Sequence, residues 1–324
     1  MRPSVVTLGE TMGRLALPEH RRPGAGTPLS LGIGGAESNV AIAVARLGVA
    51  STWIGHVGDD DFGSMVIRET LGEGVRVIAR RDPTAPTGLL VKEHRRGRPT
   101  AVRYYRSGSA ASRLTPDDLD EGAIAEAGVL HLTGITPALG DGPTAAVHRA
   151  IAVARAAGAV VSFDVNYRAS LWSPDAAREA LAAIIPQVDV LFAGPAEAAL
   201  IVHGDPREPD GDAFAAGRDL AARLAALGPA HGVVKLGEHG ALALRDGTVE
   251  EVPAYPVDVL DTVGAGDAFV GGSLAALVTG QPTKGCLETG ARLGALVCGA
   301  RGDWEGLLDG EGQDPAGPST DVVR

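Results

Sequence analysis

The segment Asp261-Thr-Val-Gly-Ala-Gly-Asp-Ala-Phe269 sets two glycines and a carboxylate just ahead of Ala268 to Val278, an apolar run of small residues that reads as a helix. Gly264 and Gly266 let the backbone turn sharply and bring bare N–H groups, with that of Ala265, close to a ligand. A helix beginning there adds unpaired N–H groups and the positive end of its dipole, so the turn is an anion cradle. Asp267 inside such a cradle suits a base or orienting group for an attacking hydroxyl better than a phosphate ligand. An Asp helix cap with ordinary turn glycines is the plainer alternative, and the local residues leave both open. A helix N-terminus favours the carboxylate, so Asp267 is expected to be ionised at neutral pH, a weak base that accepts its proton late.

Two further groups have spacing that suits a ligand. Ser162-Phe-Asp-Val-Asn-Tyr-Arg168 runs off the end of an apolar strand. Period-two geometry puts Asp164, Asn166 and Arg168 on one side, facing a crevice if the strand continues that far. A turn with a solvated arginine is the alternative. Tyr104 and Arg106 lie two apart and share a strand face. Arg106 could then grip a carboxylate with two nitrogens while Tyr104 supplies an apolar wall and a hydroxyl. Tyr105 points the other way and is expected to act through its backbone, a cross-strand surface pair being the alternative. Two arginines near one pocket suit an anionic sugar better than a neutral ketose.

These groups need a scaffold that brings distant segments to one crevice. From about residue 120 onward, short apolar runs (Val129 to Leu132, Ala159 to Phe163, Val188 to Phe192, Gly232 to Leu236) alternate with helical stretches (Thr144 to Ala157, Asp175 to Ile185, Asp212 to Leu227). This rhythm predicts an α/β fold with a mostly parallel sheet covered by helices on both faces. Right-handed crossovers then put ligands at the carboxyl ends of the strands. Gly240 to Val249 predicts a hairpin turning at Asp246-Gly247. Residues 11–33 and 87–107 break the rhythm, and their discontinuous strand-like pieces predict a small second sheet over the first. Residues 309–324, rich in Gly, Pro, Asp and Ser, are expected to be a disordered tail.

The segment 261–269 resembles the C-terminal signature of the ribokinase-like (PfkB) carbohydrate kinases. Gly34 to Gly48 looks like that family's N-terminal substrate motif, and His56 to Gly63 is similar to the segment that follows it. Within the family the chain looks most like the 2-keto-3-deoxygluconate kinases, through Arg103 to Ala110, His131 to Leu139, Ser162 to Arg168 with Leu171 to Pro174, and Arg301-Gly-Asp303. The resemblance covers roughly residues 4 to 306. It implies a ribokinase-like fold in which 1–10, 34–86 and 108–308 form the core while 11–33 and 87–107 form a β lid above the sugar. It also implies ATP and Mg²⁺ as cofactors and a sugar or sugar acid as acceptor, most similar to 2-keto-3-deoxygluconate.

The resemblance assigns Gly35, Asn39, Tyr104, Tyr105, Arg106, Arg168 and Asp267 to the substrate. Asn166 and Lys235 would lie near the nucleotide phosphates, with Thr262, Gly264 and Gly266 beside them. Gly237, Glu238 and Gly240 belong to a loop similar to the family's nucleotide loop. Glu197 matches the acidic residue that organises Mg²⁺ through water. Three positions depart from the pattern: Gly194 stands where Asn is frequent, Leu90 where many sugar-acid kinases carry Tyr, and Ala291 where a polar residue can lie near the adenine. They bear on substrate and nucleotide identity more than on phosphotransfer.

The 324 residues, 45% hydrophobic and 21% charged, are enough for one large α/β domain or two modest ones. A net charge of −11 argues against nucleic-acid and anionic-membrane partners and requires the arginines to be concentrated locally, as they are from Arg95 to Arg106. No apolar run approaches the ~18 residues of a membrane span. Arg2-Pro3 leads straight into a strand-like run, without the features of a secretory leader. A cytoplasmic protein is therefore expected, in which Cys286 and Cys298 are small buried residues rather than a disulfide. The histidines form no HExxH or paired metal pattern, and neither a GxGxxG dinucleotide fingerprint in a βαβ unit nor GxxxxGK[ST] is present. The readings that stay open are a sugar-acid kinase, a fructokinase or other ketose or pentose kinase, and a non-catalytic sugar-binding regulator. The lid's exposed sheet edge invites pairing between subunits, so a homo-oligomer is expected.

Overall fold

The computed structural model describes residues 3–18, 21, 23–93 and 101–307. The expected tail at 309–324 and the basic turn at 95–99 lie outside the described residues. In chain order the elements are β1 (Ser4–Leu8), β2 (Met12–Ala16), β3 (Ser30–Gly34), α1 (Ala36–Arg46), β4 (Ala50–Gly58), α2 (Asp61–Gly72), β5 (Arg76–Asp82), β6 (Leu89–Glu93) and β7 (Ala101–Tyr105). There follow α3 (Glu121–Glu126), β8 (Val129–Thr133), α4 (Asp141–Ala156), β9 (Val160–Asp164), α5 (Pro174–Ile184), β10 (Val190–Ala193), α6 (Pro195–His203), α7 (Ala213–Ala225) and β11 (His231–Lys235). The chain closes with β12 (Ala241–Arg245), β13 (Thr248–Val252), α8 (Ala265–Val278) and α9 (Thr283–Cys298).

The large sheet has the order β13-β12-β11-β10-β9-β8-β1-β4-β5. Every pairing from β11 to β5 is parallel, and the β12–β13 hairpin adds the antiparallel edge. The hairpin turns where predicted, with positive φ at both Asp246 and Gly247, as a two-residue type I′ turn requires. The central strands are buried on both faces, which explains their continuous apolar runs. Alternation divides them between two cores. Val6, Leu130 and Leu191 pack with α4, α5 and α7, whereas Val5, Val129 and Val190 pack with α1, α8 and α9.

Helix α8 is buried almost all round. Its small residues make that possible: a methyl on Gly272 would press on the Gly290 backbone of α9, so the two helices meet through glycine. The helix begins three residues earlier than predicted, which puts Asp267 in its first turn and makes Gly264 the cap, in the left-handed region at φ 85°. Asp267 is therefore not the helix cap.

The small sheet has the order β3-β2-β6-β7, with β2 and β6 parallel and the outer pairs antiparallel. Leu31 on β3 and Tyr105 on β7, its two edge strands, are 60% and 63% exposed. Among the described residues no helix is long and apolar enough to cross a membrane. Cys286 is buried, Cys298 only partly so, and neither forms a disulfide.

Candidate active site

A cavity of about 350 Å³ opens where the carboxyl ends of the parallel strands face the small sheet. The chain after β1 supplies Glu10, that after β8 Ile135, and that after β9 Asn166 and Arg168. The first turn of α6 supplies Glu197, the end of β11 Lys235, and the start of α8 Gly264, Gly266 and Asp267. Gly35 and Asn39 come from α1 and its cap, and Leu90 and Tyr104 from the small sheet.

Asp267 is half-buried at the base of this cavity. Asn39 Nδ2 donates to its Oδ2 at 2.8 Å, which orients the carboxylate. Burial raises its pKa to about 7, against the opposing pull of the Asn39 hydrogen bond and the Arg168 charge. Desolvation thus outweighs the helix end, and the expectation of a fully ionised carboxylate is corrected to a base poised near neutrality. Beside it, Gly266 and Asp267 occupy first-turn positions whose N–H groups have no acceptor within the helix. The N–H of Ala265 is different: it already donates to the Thr262 carbonyl at 3.3 Å. The cradle therefore centres on the glycines rather than on Ala265, which does not line the cavity.

Lys235 Nζ donates to both oxygens of Asp164, at 2.9 and 2.7 Å. Burial works against its charge, but Asp164 and Glu197 prevail and hold its pKa above the usual lysine value. The strand predicted to carry Asp164, Asn166 and Arg168 on one side ends at Asp164. Asn166 instead turns into the left-handed region at φ 41°, which asparagine tolerates. That turn still brings Asn166 and Arg168 into the cavity, while Asp164 stays beneath it on Lys235. Asn166 is 4% exposed, and its Oδ1 has no protein partner.

Glu197 accepts the N–H of Tyr167 at 3.0 Å and, as in a capping box, that of Gly194 at 2.7 Å. Among the described residues no group of three His, Cys, Asp or Glu side chains is placed to hold a metal directly. The donor set fits a Mg²⁺ that arrives on phosphate oxygens and meets Glu197 through water, since such an ion keeps most of its own shell.

Arg106 and Tyr104 do face the same space, with the guanidinium carbon 5.6 Å from the ring centroid. The expected two-nitrogen grip on a substrate is not free, however. Arg106 Nε donates to Glu10 Oε2 at 2.6 Å and Nη2 pairs with the same carboxylate. Ser109 Oγ donates to the other Glu10 oxygen at 2.6 Å. Arg103 turns outward to Glu93 and does not join Arg106 at the cavity, and Arg95, Arg96 and Arg98 lie outside the described residues. The cation left for a ligand is Arg168, which donates to the Tyr167 carbonyl at 3.1 Å and, among the described residues, has no carboxylate within 4 Å.

Of the residues singled out from sequence, Gly35, Asn39, Tyr104, Arg106, Asn166, Arg168, Glu197, Lys235, Thr262, Gly264, Gly266 and Asp267 line one cavity. Tyr105 faces solvent outside it, and Gly237, Glu238 and Gly240 lie on the turn after β11 without reaching it. Glu10 and Asp164 were missed as partners of Arg106 and Lys235. Nothing local in the sequence pairs residues 96 or 71 positions apart.

Residues 2–308 match the family model of the pfkB family carbohydrate kinases. The chain is 38% identical to 2-dehydro-3-deoxygalactonokinase of Haloferax volcanii, over 94% of its own length and 93% of the relative's. It superposes on the crystal structure of 2-dehydro-3-deoxygluconokinase from Thermotoga maritima with a TM-score of 0.86 and 27% identity, covering 94% of this chain and 95% of that one. A putative ribokinase from E. coli, solved in complex with ATP and Mg²⁺, gives a TM-score of 0.81 at 25% identity, with 94% and 96% of the two chains covered. The doubly covered parallel sheet, the glycine-capped α8 with Asp267 in its first turn, and a match along almost the whole chain have one source: this protein belongs to the PfkB family of carbohydrate kinases.

Proposed function

We propose that the protein transfers the γ-phosphoryl group of MgATP to the terminal hydroxyl of a 2-keto-3-deoxy sugar acid, converting 2-keto-3-deoxygluconate to its 6-phosphate. The observation that carries this reading is the meeting of three unlike groups in one cavity: the α8 glycine turn, the Asp267 carboxylate and the Arg168 guanidinium. Arg168 binds the acceptor's carboxylate, with Tyr104, Gly35 and Asn39 on the sugar. Asp267 holds the terminal hydroxyl. As the new O–P bond forms and the bond to the β-phosphate oxygen breaks, the proton passes to Asp267. The Gly264 and Gly266 amides receive the developing charge, and Lys235 and Asn166 hold the departing phosphates. Glu197 would hold Mg²⁺ through water, and the ion would supply neutralisation of phosphate charge there.

Residues 11–33 and 87–107 form a lid in this reading, with 1–10, 34–86 and 108–308 as core. Tyr105 acts from the lid, and Thr262, Gly237, Glu238 and Gly240 border the nucleotide. The exposed apolar side chains of Leu31 and Tyr105 on the small sheet, with Leu29 just ahead of β3, are where a second copy of the chain would pack. In this reading the reaction runs in the cytoplasm, where ATP is made and used.

One observation favours a second reading, a ketose kinase. Glu10 neutralises Arg106 and Leu90 offers no hydroxyl, so among the described residues Arg168 is the one uncompensated arginine that lines the cavity. ADP release, coupled to NADH oxidation, is measured with 2-keto-3-deoxygluconate, its galactonate epimer, fructose, ribose and adenosine, with and without Mg²⁺. The sugar acids are expected to lead. Fructose far ahead of both would transfer the assignment to the ketose kinases, and no ADP from any acceptor would support a binding protein without turnover.

A further inference from the structure

A second set of charges lies behind the cavity, where the small sheet meets the two loops that frame the cradle. Lys92 on β6 is 1% exposed and does not line the cavity. Its ammonium donates to the Gly302 carbonyl at 2.9 Å and to Asp303 Oδ1 at 2.6 Å, and stands 3.0 Å from Asp261 Oδ2. Asp261 begins the loop that leads to the Gly264 cap, and its Oδ1 accepts the N–H of Val263 at 3.2 Å. Asp303 closes on the same loop from the other side, since a methyl on Gly264 would overlap its backbone carbonyl. Arg14 of β2 braces this second loop through Asp303, at 3.3 Å, and Glu305.

Asp261 and Asp303 are like charges, both almost fully buried, and the Lys92 ammonium stands between them; Arg14 shares Asp303, whereas Lys92 is the cation paired with Asp261. Without it they repel across the loop that carries the amides, and a buried charge left without its partner is severely destabilising. We propose that Lys92 is a positioning residue for phosphoryl transfer: the small sheet supplies the ammonium that fixes the amide cradle by pairing with Asp261 and tying it to Asp303. This rests on the reading that the Gly264–Gly266 turn receives the moving phosphoryl group. The small sheet then serves the phosphate end of the reaction as well as the sugar.

The test compares Lys92→Met, which keeps the length and apolar stem of the side chain, with Lys92→Ala, which leaves a space the size of propylammonium. Steady-state kinetics use whichever acceptor the wild type phosphorylates best, with folding followed by circular dichroism. Both variants are expected to lose about 100-fold in kcat with little change in the acceptor's KM, and propylammonium is expected to return about tenfold to Lys92→Ala, since misplacement by about 1 Å costs that order of rate. Tetramethylammonium, too bulky to enter, should return nothing at the same ionic strength. A folded Lys92→Met with kcat near wild type overturns the proposal, and so does a loss in Lys92→Ala that propylammonium leaves untouched. If Lys92→Ala does not fold, Lys92→Met alone decides. Gly264→Ala, run alongside, tests the underlying reading separately: full turnover in that variant removes the cradle's role whatever Lys92 does.

Discussion

Replacing Asp267 by Asn is expected to make the protein nearly inactive and, above neutral pH, more stable. The variant keeps the shape of the side chain but removes a charge that burial disfavours. The displacement of the carboxyl from 3.8 to about 7 corresponds to at most about 4 kcal/mol, and the open face toward the cavity reduces the expected gain to about 2 kcal/mol. The sign follows from proton counts. Between pH 3.8 and about 7 the folded state holds a proton that the unfolded state has released, so wild-type stability falls as pH rises through that window. The Asn variant lacks this loss. The difference in urea-unfolding free energy should therefore be near zero at pH 4 and largest at pH 8. Activity runs the other way: wild-type kcat/KM should fall below pH 7 as Asp267 gains its proton, and at pH 8 the variant should retain about 10⁻² to 10⁻⁴ of wild-type kcat. Parallel stability curves for the two proteins from pH 4 to 8 would refute the buried-charge argument. A variant kcat within threefold of wild type would refute the role of Asp267 as base.

Three other outcomes follow from the same geometry. Arg168→Ala should lower kcat/KM for a sugar acid by about 1.5–3 kcal/mol, or about 10- to 150-fold, and leave a neutral ketose nearly unchanged, because it removes a charge-assisted contact to the carboxylate; parallel kinetics with the two acceptors check this. Gly264→Ala meets both the positive φ and the Asp303 carbonyl, so it should cost more than the roughly 1–2 kcal/mol of the backbone alone and abolish turnover, read by thermal melting and ADP release. Lys235→Met leaves Asp164 buried without its partner and should destabilise the fold by about 3–5 kcal/mol in chemical denaturation.

Much of the architecture is legible along the chain because it depends on local pattern. Continuous apolar runs mark β8 to β11 as strands buried on both faces, the alanine-rich segments between them mark the covering helices, and Asp246-Gly247 marks the hairpin. The cavity follows from the same pattern, since parallel strands with helical crossovers collect the residues after their carboxyl ends at one crevice. Motif residues therefore meet there without any knowledge of contacts. The turn after β9 is a partial failure: periodicity assumed a strand through Arg168, whereas Asn166 adopts a left-handed turn and reaches the same space by another route.

What sequence alone determined, then, is the identity of the chemical groups: a glycine turn at a helix start, a carboxylate within it, and arginines with the reach to hold an acid. Which of those groups is free to act was decided only by tertiary structure. Arg106 and Arg168 look alike in the chain, yet Glu10 neutralises the first and the second stays open. Asp267 reads as an ionised first-turn carboxylate until the protein packed around it raises its pKa. Charge state and pairing depend on neighbours scores or hundreds of residues away, through Coulomb and desolvation forces that leave no mark on local spacing.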